Sequence, residues 1–127
     1  MICKVLLVED DDFLRFAVTK MLNRIGVEVD CACNGHEAVV LAEKYRYPLI
    51  LMDVRMPVLN GLEATKRIRA RECKTGVEAS KIVAVTGEQD RAGCIAAGMD
   101  DYVEKPVNVS NLKMLVEKWC GEMLHNN

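Results

Sequence analysis

The sequence lacks the features of a membrane-spanning, secreted or nucleic-acid-binding protein. Its longest apolar runs, such as residues 5–8 and 48–52, are far shorter than the roughly 20 residues that cross a bilayer. No secretory leader pattern precedes the first apolar run. The 17 Lys and Arg do not exceed the 19 Asp and Glu, so no basic excess points to nucleic acid. We therefore expect a cytoplasmic location, with no membrane contact and no nucleic acid partner for this chain.

Cysteine is present, but the paired Cys-x-x-Cys spacing of zinc sites is missing. The six cysteines are therefore interpreted as free thiols. Cys31 and Cys33 alternate on a predicted strand, so their side chains are expected to face the same side and to be buried as small apolar groups.

The sequence also lacks internal repeats, linkers and low-complexity tracts. Its 127 residues are 50% hydrophobic and 28% charged, which is typical of a globular protein and excludes a disordered or fibrous one. A chain of this length can bury a sizeable core. We expect a single domain over residues 1–127.

Five short apolar runs alternate with segments of helical periodicity. The first helix is predicted to begin at Asp12 as N-cap and to end at Gly26. Asn34-Gly35 and Asn60-Gly61 are interpreted as turns, and residues 72–80 as a loop long enough to suggest an insertion. The predicted strands are 4–8, 27–33, 49–53, 81–85 and 100–104. The fourth predicted helix is short and runs from Asp90 to Ala97. The residues that line one face of the other predicted helices are, for the first, Phe13, Phe16, Ala17, Met21, Leu22 and Ile25; for the second, Ala38, Val39, Leu41, Ala42 and Tyr45; for the third, Leu62, Ala64, Thr65, Ile68 and Ala70; and for the fifth, Leu112, Leu115, Val116, Trp119 and Met123.

This alternation predicts an α/β fold with a parallel sheet that is covered by helices on both faces. In such sheets the ligand site lies at the carboxyl ends of the strands. The predicted strands deliver the polar residues Glu9, Asp10, Asp53, Thr86 and Lys105 to that edge. We expect these residues to form one site.

Three carboxylates close together repel one another, so the predicted site needs a cation. Oxygen ligands without nearby histidine or cysteine ligands favour Mg²⁺. Asp10 and Asp53 are the expected direct ligands, and Glu9 is expected to act through a water molecule.

Such a metal suits phosphoryl transfer, in which charge spreads over oxygens that a cation and hydrogen-bond donors must neutralise. A carboxylate can accept the phosphoryl group. We predict Asp53 as the acceptor, Lys105 as a positive charge for one phosphate oxygen, and the Thr86 hydroxyl as a donor to another.

Four segments of the sequence carry a resemblance to the response-regulator receiver family. They are residues 5–11 (VLLVEDD), 51–57 (LMDVRMP) with Asn60-Gly61, 84–86 (AVT) and 102–106 (YVEKP). The resemblance implies a flavodoxin-like, doubly wound five-stranded sheet in the order 2-1-3-4-5, with five helices. It implies Asp53 as the phosphorylated residue and Mg²⁺ held by Glu9, Asp10, Asp53 and the backbone carbonyl of Arg55.

The same resemblance implies a switch. Thr86 would move toward the phosphate, Tyr102 would follow it inward, and the surface of the fourth helix, fifth strand and fifth helix would change. We further hypothesise that Arg55 pairs with Glu88 across the site and slows the loss of phosphate by hindering water. A surface ion pair of little consequence is the alternative.

The implied function is Mg²⁺-dependent transfer of a phosphoryl group from a partner's phosphohistidine in a two-component phosphorelay. The partner would be a histidine kinase or a histidine phosphotransfer protein, and the chain itself is expected to be a monomer and not a separate enzyme. The resemblance is strongest to receivers of hybrid sensor histidine kinases, with a stand-alone regulator as the rival. It is carried by residues 52–65, the long loop predicted over residues 72–80, and residues 98–102. No output module is expected in this chain.

Two other classes of function remain open from the residues. A pseudo-receiver would keep the fold and bind partners without being phosphorylated, although Asp10, Asp53, Thr86 and Lys105 are all present. A phosphatase of the haloacid dehalogenase type also uses an aspartate at a strand end, but it requires a second aspartate two residues later, where this chain has Arg55.

Overall fold

Strands and helices alternate along the chain in the order that the sequence predicts. The computed structural model describes residues 3–87 and 91–125, and their side chains up to residue 121. Within these ranges the strands are β1 (Lys4–Val8), β2 (Glu28–Ala32), β3 (Leu49–Asp53), β4 (Lys81–Thr86) and β5 (Asp101–Glu104). The helices are α1 (Asp12–Ile25), α2 (Gly35–Lys44), α3 (Gly61–Thr75), α4 (Arg91–Ala97) and α5 (Val109–His125).

The strands form one parallel sheet in the order β2-β1-β3-β4-β5, which is the predicted flavodoxin-like order. In the register of this sheet, Val8 lies beside Met52 and Asp53 lies beside Val85. Because all strands run the same way, the residues that follow them meet at one edge. That edge is where the predicted site residues lie.

The sheet is buried on both faces, which explains why its central strands are almost wholly apolar. Val5 and Leu7 of β1 belong to a core that contains residues of α1 and α5. Leu6 and Val8 belong to a second core that contains residues of α2, α3 and α4. All five residues of β3 are buried, including Asp53. No helix in the described part of the chain has the length and apolarity to span a membrane.

Four helices begin at an Asp or Asn side chain that caps the backbone. Asp11, Asn34, Asn60 and Asn108 each accept a hydrogen bond from the backbone N–H three residues later, over 2.8–2.9 Å. The predicted cap Asp12 is therefore wrong by one residue, because Asp11 has the extended backbone of a cap and Asp12 is already helical. The predicted turns at residues 34–35 and 60–61 are helix starts.

The predicted inward face of α1 is partly wrong. Val18 and Leu22 are buried, whereas 77% of Phe13 and 64% of Phe16 is exposed to solvent. Helical periodicity shows which residues share a face, but the rotation of the helix against the sheet decides which face is covered. Two large aromatic side chains are left on the surface.

The predicted loop over residues 72–80 is also wrong in its first half. α3 continues to Thr75 and ends at Gly76, whose φ of 74° is the left-handed conformation of a C-cap. Arg71, Glu72 and Lys74 favour a helix although they extend no apolar stripe. The remaining connection to β4, residues 77–80, is short.

The other differences are small. Tyr45 caps α2 and is exposed, so it does not belong to the apolar face of that helix. All six cysteines are free thiols, as predicted, but Cys31 is exposed, because β2 is an edge strand. Cys33 is half-buried. Asp90 and the side chain of Met123 lie outside the described residues.

Candidate functional site

Four of the predicted site residues meet at the carboxyl edge of the sheet. Glu9 and Asp10 follow β1, Asp53 ends β3, and Lys105 follows β5. Ligand oxygens of the three carboxylates all lie within 4.8 Å of one another. Glu9 and Asp53 are each only 5% exposed, whereas Asp10 is exposed. The fold therefore gathers an acidic pocket with one side open to solvent.

Lys105 bridges the two buried acids. Its Nζ atom lies 3.0 Å from Oε1 of Glu9 and 3.1 Å from Oδ2 of Asp53. Burial opposes the charge of the Lys105 ammonium, but the hydrogen bonds to Glu9 and Asp53 outweigh it, so the pKa of Lys105 is raised. Lys105 is thus a fixed positive charge beside the Asp53 carboxylate.

One cation does not balance three carboxylates. Within the described residues, Asp10 has no ion-pair partner, and Lys105 uses only the Oδ2 atom of Asp53. The donor set consists of carboxylate oxygens with no histidine or cysteine among them, and hard oxygen ligands are those that Mg²⁺ prefers. The residues present therefore fit a magnesium site.

Two glycines let the loop after Asp53 pack closely against the end of β3 and the start of α2. A Cβ atom on Gly61 would lie 2.1 Å from the backbone oxygen of Asp53, and one on Gly35 would lie 2.1 Å from that of Leu59. Only glycine allows these approaches. Between them, Val58 has a φ of 71°, which is rare for a β-branched residue, and it is exposed. Residues 54–60 thus form a tightly constrained rim beside the acidic pocket.

The remaining predicted residues lie on or beside the same edge. Thr86 is 3% exposed at the end of β4, and its backbone oxygen accepts a hydrogen bond of 2.8 Å from the Lys105 N–H. Tyr102 lies beside Ala84 in the sheet, outside the acidic pocket, and is half-buried with its hydroxyl 3.5 Å from Glu104. Arg55 is exposed. Its hypothesised partner Glu88 lies outside the described residues.

Sequence reasoning missed Arg15. Its Nη1 atom donates a hydrogen bond of 2.9 Å to the backbone oxygen of Glu9, and its Nη2 atom pairs with Asp12. A cation that follows an acidic run by less than one helical turn was the available signal. Whether the Arg15 side chain contacts these acidic residues depends on the path of the loop, which only the folded structure shows.

A buried aspartate, a bridging lysine and a cluster of acids lie together at the carboxyl edge of a sheet with the strand order 2-1-3-4-5. This arrangement suits a carboxylate that accepts a phosphoryl group. Comparison with known proteins agrees. Residues 5–117 match the family model of the response regulator receiver domain. Over 117 residues the chain is 42% identical to two-component response regulator 24 of Arabidopsis thaliana, covering 88% of this chain and 81% of that protein.

Two solved structures share the fold closely. The receiver domain of Saccharomyces cerevisiae Ssk1, crystallised with the histidine phosphotransfer protein Ypd1, has a TM-score of 0.88 and 32% identity, covering 93% of this chain and 88% of that chain. The receiver domain of sensor histidine kinase PA1611 from Pseudomonas aeruginosa, with a magnesium ion in its active-site cleft, has a TM-score of 0.84 and 39% identity. That match covers 95% of this chain and 99% of that chain.

The chain belongs to the response regulator receiver domain family of two-component phosphorelays. Its relatives include both response regulators and much longer kinases. The chain spans only 4% of hybrid signal transduction histidine kinase G of Dictyostelium discoideum and 14% of sensor protein GacS of Pseudomonas syringae pv. syringae.

Proposed function

We propose that Asp53 accepts the phosphoryl group from a partner's phosphohistidine. The observation that carries this proposal is the Asp53 carboxylate itself, which is buried at the centre of the sheet edge with Lys105 at 3.1 Å. Lys105 is bonded to Oδ2, and Oδ1 has no hydrogen-bond partner among the described residues. One carboxylate oxygen is therefore held while the other can react.

In the proposed step, an Asp53 oxygen forms a bond to phosphorus while the bond from phosphorus to the histidine nitrogen breaks. The electron pair of the broken bond stays on the imidazole. The transferring group carries charge on its three other oxygens, and Lys105 provides one fixed positive charge for them. The Thr86 hydroxyl, at the end of the neighbouring strand, is proposed to donate to another of these oxygens.

We infer that Mg²⁺ is the cofactor. The ion would be bound by Glu9, Asp10, Asp53 and the backbone carbonyl of Arg55. The carboxylate oxygens of the three acids already lie within 4.8 Å of one another. When bound, the ion supplies positive charge that offsets the acids and the incoming phosphate. The magnesium ion in the cleft of the PA1611 receiver supports this inference.

Phosphorylation is proposed to act as a switch through Thr86 and Tyr102. New charge-assisted bonds at the phosphate would draw Thr86 inward. The half-buried Tyr102 would follow, since it lies beside Ala84, two residues before Thr86 on the neighbouring strand. The affected surface would be α4, β5 and α5.

The proposed partner is a histidine kinase or a histidine phosphotransfer protein, as in the Ssk1–Ypd1 complex. Large apolar side chains are exposed on both sides of the site, on α1 and on the rim after Asp53. They are Phe13, Leu14, Phe16 and Val58. A histidine must come within bonding distance of a buried aspartate, so we infer that the partner covers the surface around the pocket, including these residues. We propose them as its docking surface.

The proposal is tested by incubating the chain with Mg²⁺ and acetyl phosphate and then measuring its intact mass. We expect a single phosphoryl adduct that is absent in Asp53→Asn. Asp101→Asn is the matched control, because Asp101 is an aspartate on β5 that pairs with Lys118 away from the pocket. The adduct should persist in this variant.

Two outcomes would contradict the proposal. An unchanged mass in the folded wild type would indicate a pseudo-receiver. Sustained hydrolysis of the phosphodonor that continues in Asp53→Asn would show that another residue carries out the chemistry. Repeating the incubation with EDTA tests the cofactor, since chelation should abolish the adduct.

The cytoplasmic location, the monomeric state and the single domain over residues 1–127 stay predictions. The activity of any longer parent protein is likewise a proposal, because several relatives carry the receiver as a small part of a kinase.

A further inference from the structure

Glu9 is fixed from four directions. Its backbone N–H donates to Ala32 over 3.0 Å, and its carboxylate accepts from the Asp11 N–H over 3.1 Å and from Lys105 over 3.0 Å. The fourth contact is the Arg15 guanidinium, which bonds the Glu9 backbone oxygen over 2.9 Å. Asp10 lies between these fixed points.

Arg15 reaches this position from the first turn of α1. Its side chain is 23% exposed, and its second arm pairs with Asp12, the first residue of the helix. The guanidinium thus fastens the start of α1 to the end of β1 and closes the acidic loop from Glu9 to Asp12. A planar fork with two donors suits this bridge, because it bonds a carbonyl and a carboxylate at once.

We propose that Arg15 is a positioning residue for the metal-binding acids: by bonding the Glu9 backbone and Asp12, it fixes the loop that presents Glu9 and Asp10 to Mg²⁺. The inference rests on the proposed function of the site. Hydrogen bonds that hold the residues behind a metal site orient ligands that would otherwise sample several rotamers and backbone conformations.

The sign of the effect separates positioning from electrostatics. If Arg15 acted only through its charge, removing this cation from beside an acidic pocket would tighten Mg²⁺ binding. If it positions the loop, removing it weakens binding although the pocket becomes more negative. The two explanations therefore predict opposite changes in the Mg²⁺ dissociation constant.

The experiment is an NMR titration of the ¹⁵N-labelled chain with MgCl₂, which follows the backbone amides of Asp10 and Asp11. In Arg15→Met we expect the dissociation constant to rise about tenfold. Arg24→Met is the matched control, since Arg24 is an exposed arginine in the last turn of the same helix. Its dissociation constant should equal that of the wild type.

Arg15→Lys keeps the charge but loses the fork, and it should bind Mg²⁺ with an intermediate affinity. If Arg15→Met does not fold, Arg15→Lys becomes the test variant. A dissociation constant for Mg²⁺ equal to that of the wild type in Arg15→Lys would then overturn the inference. Equal or tighter binding by folded Arg15→Met overturns it as well. Failure of the wild type to bind Mg²⁺ would instead overturn the proposed metal site itself.

Discussion

Tyr47 shows how one residue couples the stability of this fold to pH. Its ring is 1% exposed, and its hydroxyl donates a hydrogen bond of 2.6 Å to Asp30 on β2. Burial raises the pKa of Tyr47 above its usual range, and the hydrogen bond to Asp30 raises it further. The folded state therefore keeps the phenolic proton at a pH at which the unfolded chain has lost it.

The free energy of unfolding should consequently be full below the unfolded pKa of tyrosine, about 10, and should fall as the pH rises above it. Tyr47→Phe removes a hydrogen bond to a charged group and should cost about 2 kcal/mol at pH 7. The difference between the wild type and this variant should shrink above pH 10. Urea denaturation at several pH values measures it.

Tyr45→Phe is the control for Tyr47, because Tyr45 is the neighbouring tyrosine and is 57% exposed. Its free energy of unfolding should stay within about 0.5 kcal/mol of the wild type. A difference between the wild type and Tyr47→Phe that is constant with pH would contradict the assignment.

At the scale of elements, Arg69 joins α3 to the residue before β4 and to the connection between α4 and β5. Its guanidinium donates to the backbone oxygens of Gly98 and Ser80 over 2.9 and 2.7 Å, and it pairs with Glu72 and Asp100 at 2.7 Å. Gly98 ends α4, Ser80 precedes β4, and Asp100 precedes β5. The side chain is 22% exposed, so these contacts are partly shielded from water.

Arg69→Ala should lower the free energy of unfolding by about 2–3 kcal/mol, since it leaves two carbonyls and two carboxylates without this donor. Arg67→Ala is the matched control on the same helix, because Arg67 is exposed and forms no ion pair within the described ranges. The control should change stability by no more than about 0.5 kcal/mol. Equal urea midpoints for the two variants would refute the role of Arg69.

At the scale of the whole molecule, transfer from a protein differs from transfer from a small phosphodonor. Acetyl phosphate needs only the pocket, whereas a histidine phosphotransfer protein is also expected to cover Phe13 and Phe16 of the proposed docking surface. The double change of these residues to alanine should slow phosphorylation by a phosphotransfer protein that serves the wild type about tenfold. Phosphorylation by acetyl phosphate should be unchanged.

Met114→Ala is the control for this docking surface. Met114 is 67% exposed, but it lies on α5, away from the acidic pocket. Its phosphorylation by both donors should match the wild type. If the Phe13 and Phe16 double variant loses both reactions equally, the loss comes from the pocket and not from docking.

The sequence alone predicted the sheet because its strands are buried on both faces. Residues 49–52 form a run with no polar interruption, and only a central strand covered by helices needs that composition. The acids that follow β1 and end β3 were also expected to meet, since parallel strands place their carboxyl ends together. The gathering of acids around Asp53 could thus be predicted without coordinates.

Only the tertiary structure decided which side chains are covered and which meet, because both depend on how each helix is rotated against the sheet and on the path of each loop. Phe13 and Phe16 share the spacing of a core face, yet the packing of α1 leaves them in solvent. Lys105 and Glu9 are almost a hundred positions apart, and only the folded sheet brings them to 3.0 Å. Sequence determines periodicity and composition, whereas the direction of each side chain depends on contacts that form between distant elements.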